Sequence, residues 1–270
     1  STMRRYLYIF SNKISKLVVF MIMTFACLCS CSTSPDLKEP RILRDLVYTE
    51  DRSENQYTIF VEETGTYIPY LALTDQYEGQ EACLLLRKDA LDQPRAFHRN
   101  NPYASYYPDS DIDYYLNHEF YLTLSEELRD VLCSSEITVT SKESLGYCGK
   151  DTETIQRNIF LLSAIEAGGE SSATVPREGH KLPYFSSSER RIVQTSSGIA
   201  TSWWLRTPDT WHDNVVCGVN TEGVIGIGGI GGFGEDYLNG VRPAFCLPVT
   251  TPIRCRDGLF YLDLGLQESH

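Results

Sequence analysis

Residues 202–214, with the sequence SWWLRTPDTWHDN, contain all three tryptophans of the chain. Trp203 and Trp204 are adjacent, and neighbouring residues of a β-strand face opposite sides of the sheet. We therefore expect a buried strand in which one indole enters the core and the other meets a second layer of structure. Arg206 follows on the same strand, where a buried guanidinium needs an acidic or carbonyl partner. Arg242 is interpreted in the same way.

Trp211 has different surroundings, because proline, acidic, imidazole and amide side chains flank it, as is typical of a loop. An aromatic ring beside hydrogen-bonding groups suits a sugar or protein site. It equally suits a structural anchor, and the sequence leaves both interpretations open. The candidate ligand-binding residues lie between the WWLRT and VRPAF segments: Trp211, His212, Asp213, Asn214, Asn220, Asp236 and Tyr237.

The N-terminal segment has the organisation of an export signal. Four basic residues and no acidic residue precede an apolar run at residues 17–28, which is short for a membrane span. The run leads into LCSC at residues 28–31, which resembles a bacterial lipobox with Cys31 as the lipidated residue. Cys27 is the weaker candidate, since Thr24 occupies the position that an aliphatic residue takes. An uncleaved helical anchor is the alternative interpretation.

These features predict a lipoprotein signal peptide at residues 1–31 and a polar tether at residues 32–55. The expected location is extracytoplasmic, with the bacterial cell membrane as the partner of the N-terminal lipid. Removal of the signal peptide would leave 20 basic and 36 acidic side chains, a net charge near −16 compared with −12 for the whole chain. Such a surface repels the phosphates of nucleic acids, so nucleic acid is excluded as a partner.

Six cysteines follow the predicted signal peptide: Cys83, Cys133, Cys148, Cys217, Cys246 and Cys255. Six cysteines in an exported chain can form disulfides. A free cysteine in an apolar run, such as Cys83 or Cys246, behaves as a small hydrophobic side chain. The sequence leaves the choice open. No cysteine and histidine spacing typical of zinc sites is present, and we predict neither a metal nor a cofactor.

Apolar periodicity predicts a mixture of strands and short helices. Three strands are expected within residues 57–88, with turns at Gly65 and Gly79 and a central apolar run at residues 83–86. Strands are also expected at residues 136–140, within residues 158–163 and after Trp203. Residues 168–200, rich in glycine, serine and threonine, are expected to be mostly loop.

Three short helices are predicted between these strands. Residues 110–120 have Ser110 as N-cap, residues 123–132 have a capping box of Thr123 and Glu126, and residues 163–168 have one of Ser163 and Glu166. The order of elements predicts one α+β domain at residues 56–265, with antiparallel sheets, a few short helices and long loops.

Two other patterns suggest chemistry that their context does not support. Asp109, Asp111 and Asp113 alternate like the start of a calcium loop, but Tyr114 and Phe120 occupy the positions of the required glycine and glutamate. We interpret these acids as helix-capping residues. The glycine-rich GIGGIGGFGED is followed by a strand pattern instead of a helix, which favours a hairpin over a phosphate loop. No nucleophile motif is present, and no catalytic residue is identified.

Four segments, SDIDYYLNHEFY, IFLLSAIEA, SWWLRTP and NGVRPAFCLP, occur in this order. They resemble a domain of unknown function that is widespread in bacteria and often found on exported proteins. That domain has a Trp-Leu-Arg-Ser/Thr-Pro segment, a variable stretch rich in glycine and asparagine, and a terminal Val-Arg-Pro-Ala. The resemblance covers residues 57–262 and implies a family without implying an activity.

A weaker resemblance is to C-type-lectin-like folds, including the branch of formylglycine-generating enzymes and retroelement-diversified receptors. In that branch a late tryptophan segment and a final strand enclose a variable surface, so the resemblance implies a lectin-like architecture. The sugar-selecting Glu-Pro-Asn triplet of lectins is missing here, and Cys246 and Cys255 do not reproduce the enzymes' cysteine pair. Neither chemistry is therefore transferred.

The function expected from the sequence is ligand binding, with a glycan or a protein as the ligand, by a lipid-anchored surface protein. One alternative is an enzyme that processes cell-envelope glycans through carboxylates that the sequence does not single out. The other is an envelope structural protein without a ligand. Facing carboxyl groups across a deep cleft would favour the enzyme, whereas a shallow aromatic surface would favour binding.

Overall fold

Strands make up most of the regular structure of the folded unit, which begins at Pro40. A computed structural model describes residues 39–99, 103–226 and 238–265. The strands are β1 (Thr58–Glu63), β2 (Thr66–Thr74), β3 (Ala82–Arg87), β4 (Ser135–Thr140), β5 (Thr152–Arg157), β6 (Ile159–Phe160), β7 (Val193–Gln194), β8 (Ala200–Thr201), β9 (Trp203–Pro208), β10 (Val216–Val219), β11 (Ile225–Gly226), β12 (Ala244–Pro248), β13 (Ile253–Arg256) and β14 (Leu259–Leu262). Within the described ranges, no helix has the length and apolar character needed to cross a membrane.

Seven strands form the main sheet in the order β13-β14-β1-β2-β3-β12-β6. The three strands predicted within residues 57–88 are confirmed as β1, β2 and β3. All six residues of β3 are buried, so the apolar run is central, as predicted. β3 pairs with β2 on one side and with β12 on the other, where Leu84 lies opposite Cys246. Gly65 and Gly79, in the two turns, have φ angles of 76° and 79°, which glycine adopts without strain.

The pairing of β1 with β14 departs from the antiparallel pattern. These two strands run parallel, with Ile59 opposite Phe260, so the prediction of antiparallel sheets is wrong at this position. No hairpin joins two strands from opposite ends of the chain, and either direction of pairing is therefore open to them. The α+β class holds, with a main sheet that is mixed.

The first two tryptophans lie on β9, which forms a three-stranded sheet in the order β11-β10-β9. Trp203 and Trp204 are both fully buried. The ring of Trp203 lies 6.4 Å from that of Phe185, and the ring of Trp204 lies 5.6 Å from that of Phe97. Each indole N–H donates to a backbone carbonyl oxygen, at 2.9 Å and 2.7 Å respectively. Both residues belong to the scaffold, as predicted.

Helix α1 (Asp111–Tyr114) continues as a π-helical turn at Tyr115–Glu119 and a 3₁₀ turn at Phe120–Thr123. The hydroxyl of Ser110 accepts a hydrogen bond from the backbone N–H of Asp113 at 3.2 Å, which confirms Ser110 as the N-cap. Other 3₁₀ helices are Leu43–Leu46, Glu54–Gln56, Tyr107–Asp109, Lys142–Ser144, Pro183–Phe185 and Glu189–Arg191.

The second helix, α2 (Glu126–Val131), has its N-cap two residues later than predicted. Its N-cap is Ser125, whose hydroxyl accepts from the backbone N–H of Leu128 at 3.3 Å. The predicted capping box of Thr123 and Glu126 is wrong, because the hydroxyl of Thr123 donates to the backbone carbonyl of Phe120 at 2.7 Å instead. Thr123 belongs to the end of the preceding helical segment.

The predicted helix at residues 163–168 is a single hydrogen-bonded turn. Its capping box is present: the backbone N–H of Ser163 donates to the Glu166 carboxylate at 2.9 Å, and the backbone N–H of Glu166 donates to the Ser163 hydroxyl at 3.0 Å. Gly168 ends the turn with a φ angle of 85°. The local cap signal was correct, but the segment is too short to continue as a helix.

Residues before β1 also belong to the folded unit. Leu43 and Leu46 are buried in the core, and the backbone N–H of Leu43 donates to the carbonyl of Thr251 at 2.8 Å. The predicted tether at residues 32–55 therefore ends too late, since its last part packs against the main sheet. Two leucines three positions apart were too weak a signal among polar residues.

The three alternating aspartates take separate partners, and Ser110, not one of the aspartates, caps α1. Asp113 forms a bidentate pair with Arg157, with two N–O distances of 2.9 Å. Asp109 pairs with Lys142 at 3.2 Å, and Asp111 accepts a hydrogen bond from a backbone N–H of the preceding loop at 3.0 Å. Each carboxylate therefore faces a different part of the chain.

We expect Leu85→Ala to lower the free energy of unfolding by about 2–5 kcal/mol, because Leu85 is fully buried on β3 and truncation leaves a cavity. Leu122→Ala is the matched control, since Leu122 is 68% exposed and its truncation should change stability by less than about 0.5 kcal/mol. Urea denaturation of both variants provides the measurement. Equal shifts in the two midpoints would contradict the central position of β3.

Candidate functional site

The loop between β9 and β10 presents Trp211 to solvent, with the residue 63% exposed. Asp209 is buried at the start of this loop and holds its shape. Its carboxylate accepts from the backbone N–H of Trp211 at 3.1 Å, and its carbonyl accepts from the N–H of His212 at 3.3 Å. The N–H of Asp209 donates to the carbonyl of Val215 at 2.9 Å, which closes the loop. Trp211 is therefore exposed on a loop of defined conformation.

Three other loops are attached to this one through backbone hydrogen bonds. The N–H of Thr210 donates to Thr174 at 2.7 Å, and the carbonyl of Thr210 accepts from Cys148 at 2.9 Å. The carbonyl of Asp213 accepts from the N–H of Ser105 at 3.1 Å. These bonds place the segments around residues 103–106 and 146–149 next to the loop that carries Trp211.

Two of the attached loops carry exposed tyrosines. Tyr147, which precedes Cys148, is 78% exposed, and Tyr103, two residues before Ser105, is 36% exposed. We call Tyr103, Tyr147 and Trp211 the exposed aromatic face.

Backbone strain occurs in the same two loops. Tyr103 and Cys148 have φ angles of 61° and 54°, in the left-handed region that costs an L-residue about 1–2 kcal/mol. Strained residues of this kind persist where the surrounding structure holds them, and they concentrate at binding sites. Both strained residues lie in the exposed aromatic face or directly beside it.

The predicted ligand-binding residues divide into three groups. Trp211, His212, Asp213 and Asn214 lie together in the β9–β10 loop, with His212 exposed and the next two half-buried. Asn220 lies apart, in the β10–β11 turn. Asp236 and Tyr237 lie outside the described residues, as does most of the glycine-rich segment.

Asn220 has a structural function in its turn. Its side-chain oxygen accepts from the backbone N–H groups of Glu222 at 3.0 Å and Val224 at 2.9 Å. An asparagine side chain that bonds the backbone two residues later is a common way to stabilise a tight turn. The oxygen of Asn220 is thus already occupied by the hairpin.

Tyr103 and Tyr147 were missed as site residues by sequence reasoning. Tyr147 stands between Gly146 and Gly149, a setting in which an aromatic residue belongs to neither a helix nor a strand. Gly146 has a φ angle of 80°, which fixes a turn and presents the next side chain outward. An isolated tyrosine flanked by glycines is the signal that could have identified it.

Five cavities of about 270 to 550 Å³ open among the described residues, and each is lined by residues other than these three aromatics. The exposed aromatic face therefore lies outside these five cavities.

A fully buried ion pair lies on the strand that leads to this loop. Arg206 of β9 forms a bidentate pair with Glu166, with N–O distances of 2.7 and 2.8 Å, and neither side chain is exposed. The same guanidinium donates to the backbone carbonyls of Thr138 at 3.0 Å and Leu161 at 2.8 Å. Tyr77 donates its hydroxyl to Glu166 at 2.8 Å. The predicted acidic and carbonyl partners of Arg206 are both confirmed.

A second buried carboxylate, that of Glu178, lies 3.8 Å from the Arg206 guanidinium. It accepts from the backbone and the hydroxyl of Thr140 and from the hydroxyl of Thr207, each at 2.7 Å. Burial raises the pKa of Glu178 above its ordinary value, although Arg206 and the three donors oppose this shift. Burial lowers the pKa of Arg206, but Glu166 and other neighbours raise it more, so the guanidinium stays charged.

The two glutamates do not form an accessible acid–base pair. Both are fully buried, and their oxygens are occupied by Arg206 and by backbone and hydroxyl donors. A substrate has no path to them in this arrangement. Both glutamates balance the charge of the buried Arg206 guanidinium, and this is a structural function.

The six cysteines after residue 39 are all free thiols. Cys83, Cys217 and Cys246 are buried, and burial raises the pKa of each thiol, to about 12 for Cys83. A thiol with a raised pKa is protonated at neutral pH and a poor nucleophile. These three cysteines therefore act as small core residues, which was one of the two interpretations left open.

We expect Glu166→Gln to destabilise the fold by about 3–5 kcal/mol, because it removes the counter-ion of the buried Arg206 guanidinium. Glu170→Gln is the matched control, since the Glu170 side chain is 80% exposed and pairs with Lys181 only at the surface. Urea unfolding of the two variants at neutral pH compares them directly. Indistinguishable midpoints would show that Arg206 does not need Glu166.

Most of this scaffold matches one known protein family. Residues 80–249 match the model of a domain of unknown function (DUF6273). Neither the curated proteins nor the solved structures contain a significant match to the chain. The matched segment includes β3 through β12, the Arg206 ion pair and the loop that carries Trp211. The chain belongs to the DUF6273 family of domains of unknown function.

Proposed function

We propose that this chain is an exported, lipid-anchored protein that binds a ligand through its exposed aromatic face. The observation that carries the proposal is the exposure of Tyr103, Tyr147 and Trp211, between 36% and 78%, on loops joined by backbone hydrogen bonds. Rings of this size favour burial. Their outward placement on fixed loops gives a partner an ordered apolar surface to contact.

A glycan is the ligand class that this composition favours over a protein. Protein-binding surfaces centre on a contiguous apolar patch from which charged residues are depleted. Here His212, Asp213 and Asn214 directly follow the exposed ring of Trp211. An aromatic ring next to hydrogen-bonding groups fits a sugar, which presents an apolar ring face and a rim of hydroxyl groups.

A C-type-lectin-like architecture is part of the same proposal. Its support is the position of the face, in loops that follow a buried tryptophan strand and precede β12. Loops on a fixed scaffold are the usual place for a binding site.

The membrane anchor is proposed at Cys31, which lies outside the described residues. Its support is the LCSC sequence after an apolar run with basic residues before it. A lipid at this position would place the folded unit at the membrane surface, outside the cytoplasm.

We expect Trp211→Ala to weaken glycan binding at least ten-fold, about 1.4 kcal/mol or more, because it removes the largest ring of the face. The full chain would be applied to a glycan array with and without calcium, and affinities for the glycans retained would be measured by calorimetry. Stability should change by less than about 0.5 kcal/mol, since Trp211 is mostly exposed. Tyr147→Ala should act in the same direction.

The matched aromatic control for this experiment is Tyr67→Ala. Tyr67 is 46% exposed on β2, where it packs against Tyr261 away from the loops of the face. Its removal should leave glycan affinity unchanged. Retention of a glycan with equal affinity by Trp211→Ala and by the parent chain would refute the proposed face. An empty array together with capture of a protein that needs Trp211 would replace the glycan by a protein ligand.

We expect Cys31→Ser to abolish lipidation, because the thiol of Cys31 is the proposed acceptor of the diacylglycerol group. The measurement is incorporation of an alkyne-labelled fatty acid in a bacterial host that expresses the full chain. Cys27→Ser is the matched control and should keep full incorporation. Loss of the label in Cys27→Ser, with its retention in Cys31→Ser, would move the lipidation site to Cys27.

A further inference from the structure

A cavity of about 440 Å³ opens beside the C-terminal end of β3 and the short strands β7 and β8, and none of the three residues of the exposed aromatic face lines it. Its wall includes Tyr57, Tyr184 and Arg190, and Arg242 lies at its base. The volume is within the range of small-molecule sites.

Arg242 is the unusual feature of this cavity. The residue is only 2% exposed, and its Nε donates to the backbone carbonyl of Arg87 at 2.8 Å. The guanidinium carbon lies 5.1 Å from the centre of the Trp203 ring. The Nη1 atom is buried and has no hydrogen-bond partner among the described residues. One N–H edge of a buried cation is therefore left unsatisfied next to an open cavity.

The other two buried arginines of the fold have carboxylate partners, and Arg242 differs from both. Arg206 pairs with Glu166 at 2.7 Å, and Arg87 pairs with Glu63 at 3.0 Å. Arg242 has no carboxylate within 4.0 Å in the part of the chain that the structure describes. Burial lowers its pKa to about 10, so the guanidinium is still charged at neutral pH. A buried charge without a counter-ion is strongly unfavourable.

A second guanidinium in the cavity is similarly incomplete. The guanidinium carbon of Arg190 lies 5.0 and 5.1 Å from the ring centres of Tyr48 and Tyr184, and its Nη1 is buried without a partner among the described residues. Tyr57 packs edge-on against Tyr48 with ring centres 5.2 Å apart. Positive charge and aromatic rings therefore occur together in one wall.

Acidic residues limit the charge that a ligand can carry. Glu54, Asp89 and Glu189 also line the cavity, and Glu54 forms an ion pair there with Lys88. A dianion such as phosphate would meet their repulsion, whereas a single negative charge placed on Arg242 is balanced locally. A carboxylate also matches the planar edge of a guanidinium.

We propose that this cavity binds a small organic monocarboxylate with a flat apolar body. The carboxylate accepts hydrogen bonds from the free N–H edge of Arg242, and the apolar body lies against Tyr57 and Tyr184. Arg190 adds positive potential at the same wall. The site is separate from the exposed aromatic face and does not depend on it.

Benzoate is the probe for this proposal, because it combines a single carboxylate with a flat ring. The full chain, labelled with ¹⁵N-arginine, would be titrated with benzoate, benzamide and inorganic phosphate while the guanidinium signals are recorded by NMR. We expect a saturable shift of the Arg242 Nε–H signal with benzoate and weaker or no shift with the other two. The Arg242 signal is assigned by its absence in Arg242→Lys.

Two variants and two controls test the location. Arg242→Lys should weaken benzoate binding at least ten-fold, and so should Ala200→Trp, which fills the mouth of the cavity at an exposed position. If Arg242→Lys does not fold, the benzoate affinity of Ala200→Trp alone tests the location of the site. Arg256→Lys, at an arginine 81% exposed outside the cavity, should bind normally, and so should Trp211→Ala.

Three outcomes would overturn the proposal. The first is the absence of a saturable shift with benzoate, and the second is tighter binding of benzamide or phosphate than of benzoate. The third is unchanged affinity in Ala200→Trp together with unchanged affinity in any folded Arg242→Lys. Normal benzoate binding by Trp211→Ala keeps this test independent of the glycan experiment.

Discussion

The buried guanidinium of Arg206 is the interaction on which the arrangement of this fold depends. It bonds to the turn at residues 163–168 through Glu166, to β4 through the carbonyl of Thr138, and to the segment after β6 through Leu161. A buried charge tolerates little displacement, because each lost bond leaves it unsatisfied. The position of β9 is thereby fixed relative to three parts of the chain that are distant in sequence.

The fixed position of β9 determines where Trp211 can lie. Trp211 follows Arg206 by five positions, and buried Asp209 controls the loop between them through its carboxylate. The charge buried within β9 is in this way coupled to an aromatic ring that is exposed just beyond the C-terminal end of the same strand. If the exposed aromatic face binds a ligand as proposed, it would need little reorganisation, which would lower the entropy lost on association.

Sequence patterns predicted the features that depend on local signals. These were the strands within residues 57–88, the burial of Trp203 and Trp204, and the Ser110 cap. Strand β5 was missed because Ile155 is the only apolar residue among its six, and even Ile155 is only partly buried. No alternation of apolar and polar residues therefore marks the strand. The partners of Arg206 and the neighbours of Trp211 come from segments tens of residues away, and periodicity carries no information about such pairs.

The parallel pairing of β1 with β14 has a consequence for how the chain completes its sheet. The family match ends at residue 249 and starts at residue 80, so four of the seven strands of the main sheet lie outside it. These flanking strands occupy consecutive places, in the order β13-β14-β1-β2. β1 and β2 are synthesised before the matched segment, whereas β13 and β14, which complete the sheet beside β1, are synthesised after it. Contacts of such long range form slowly, and the sheet reaches its full width only when synthesis has passed residue 262.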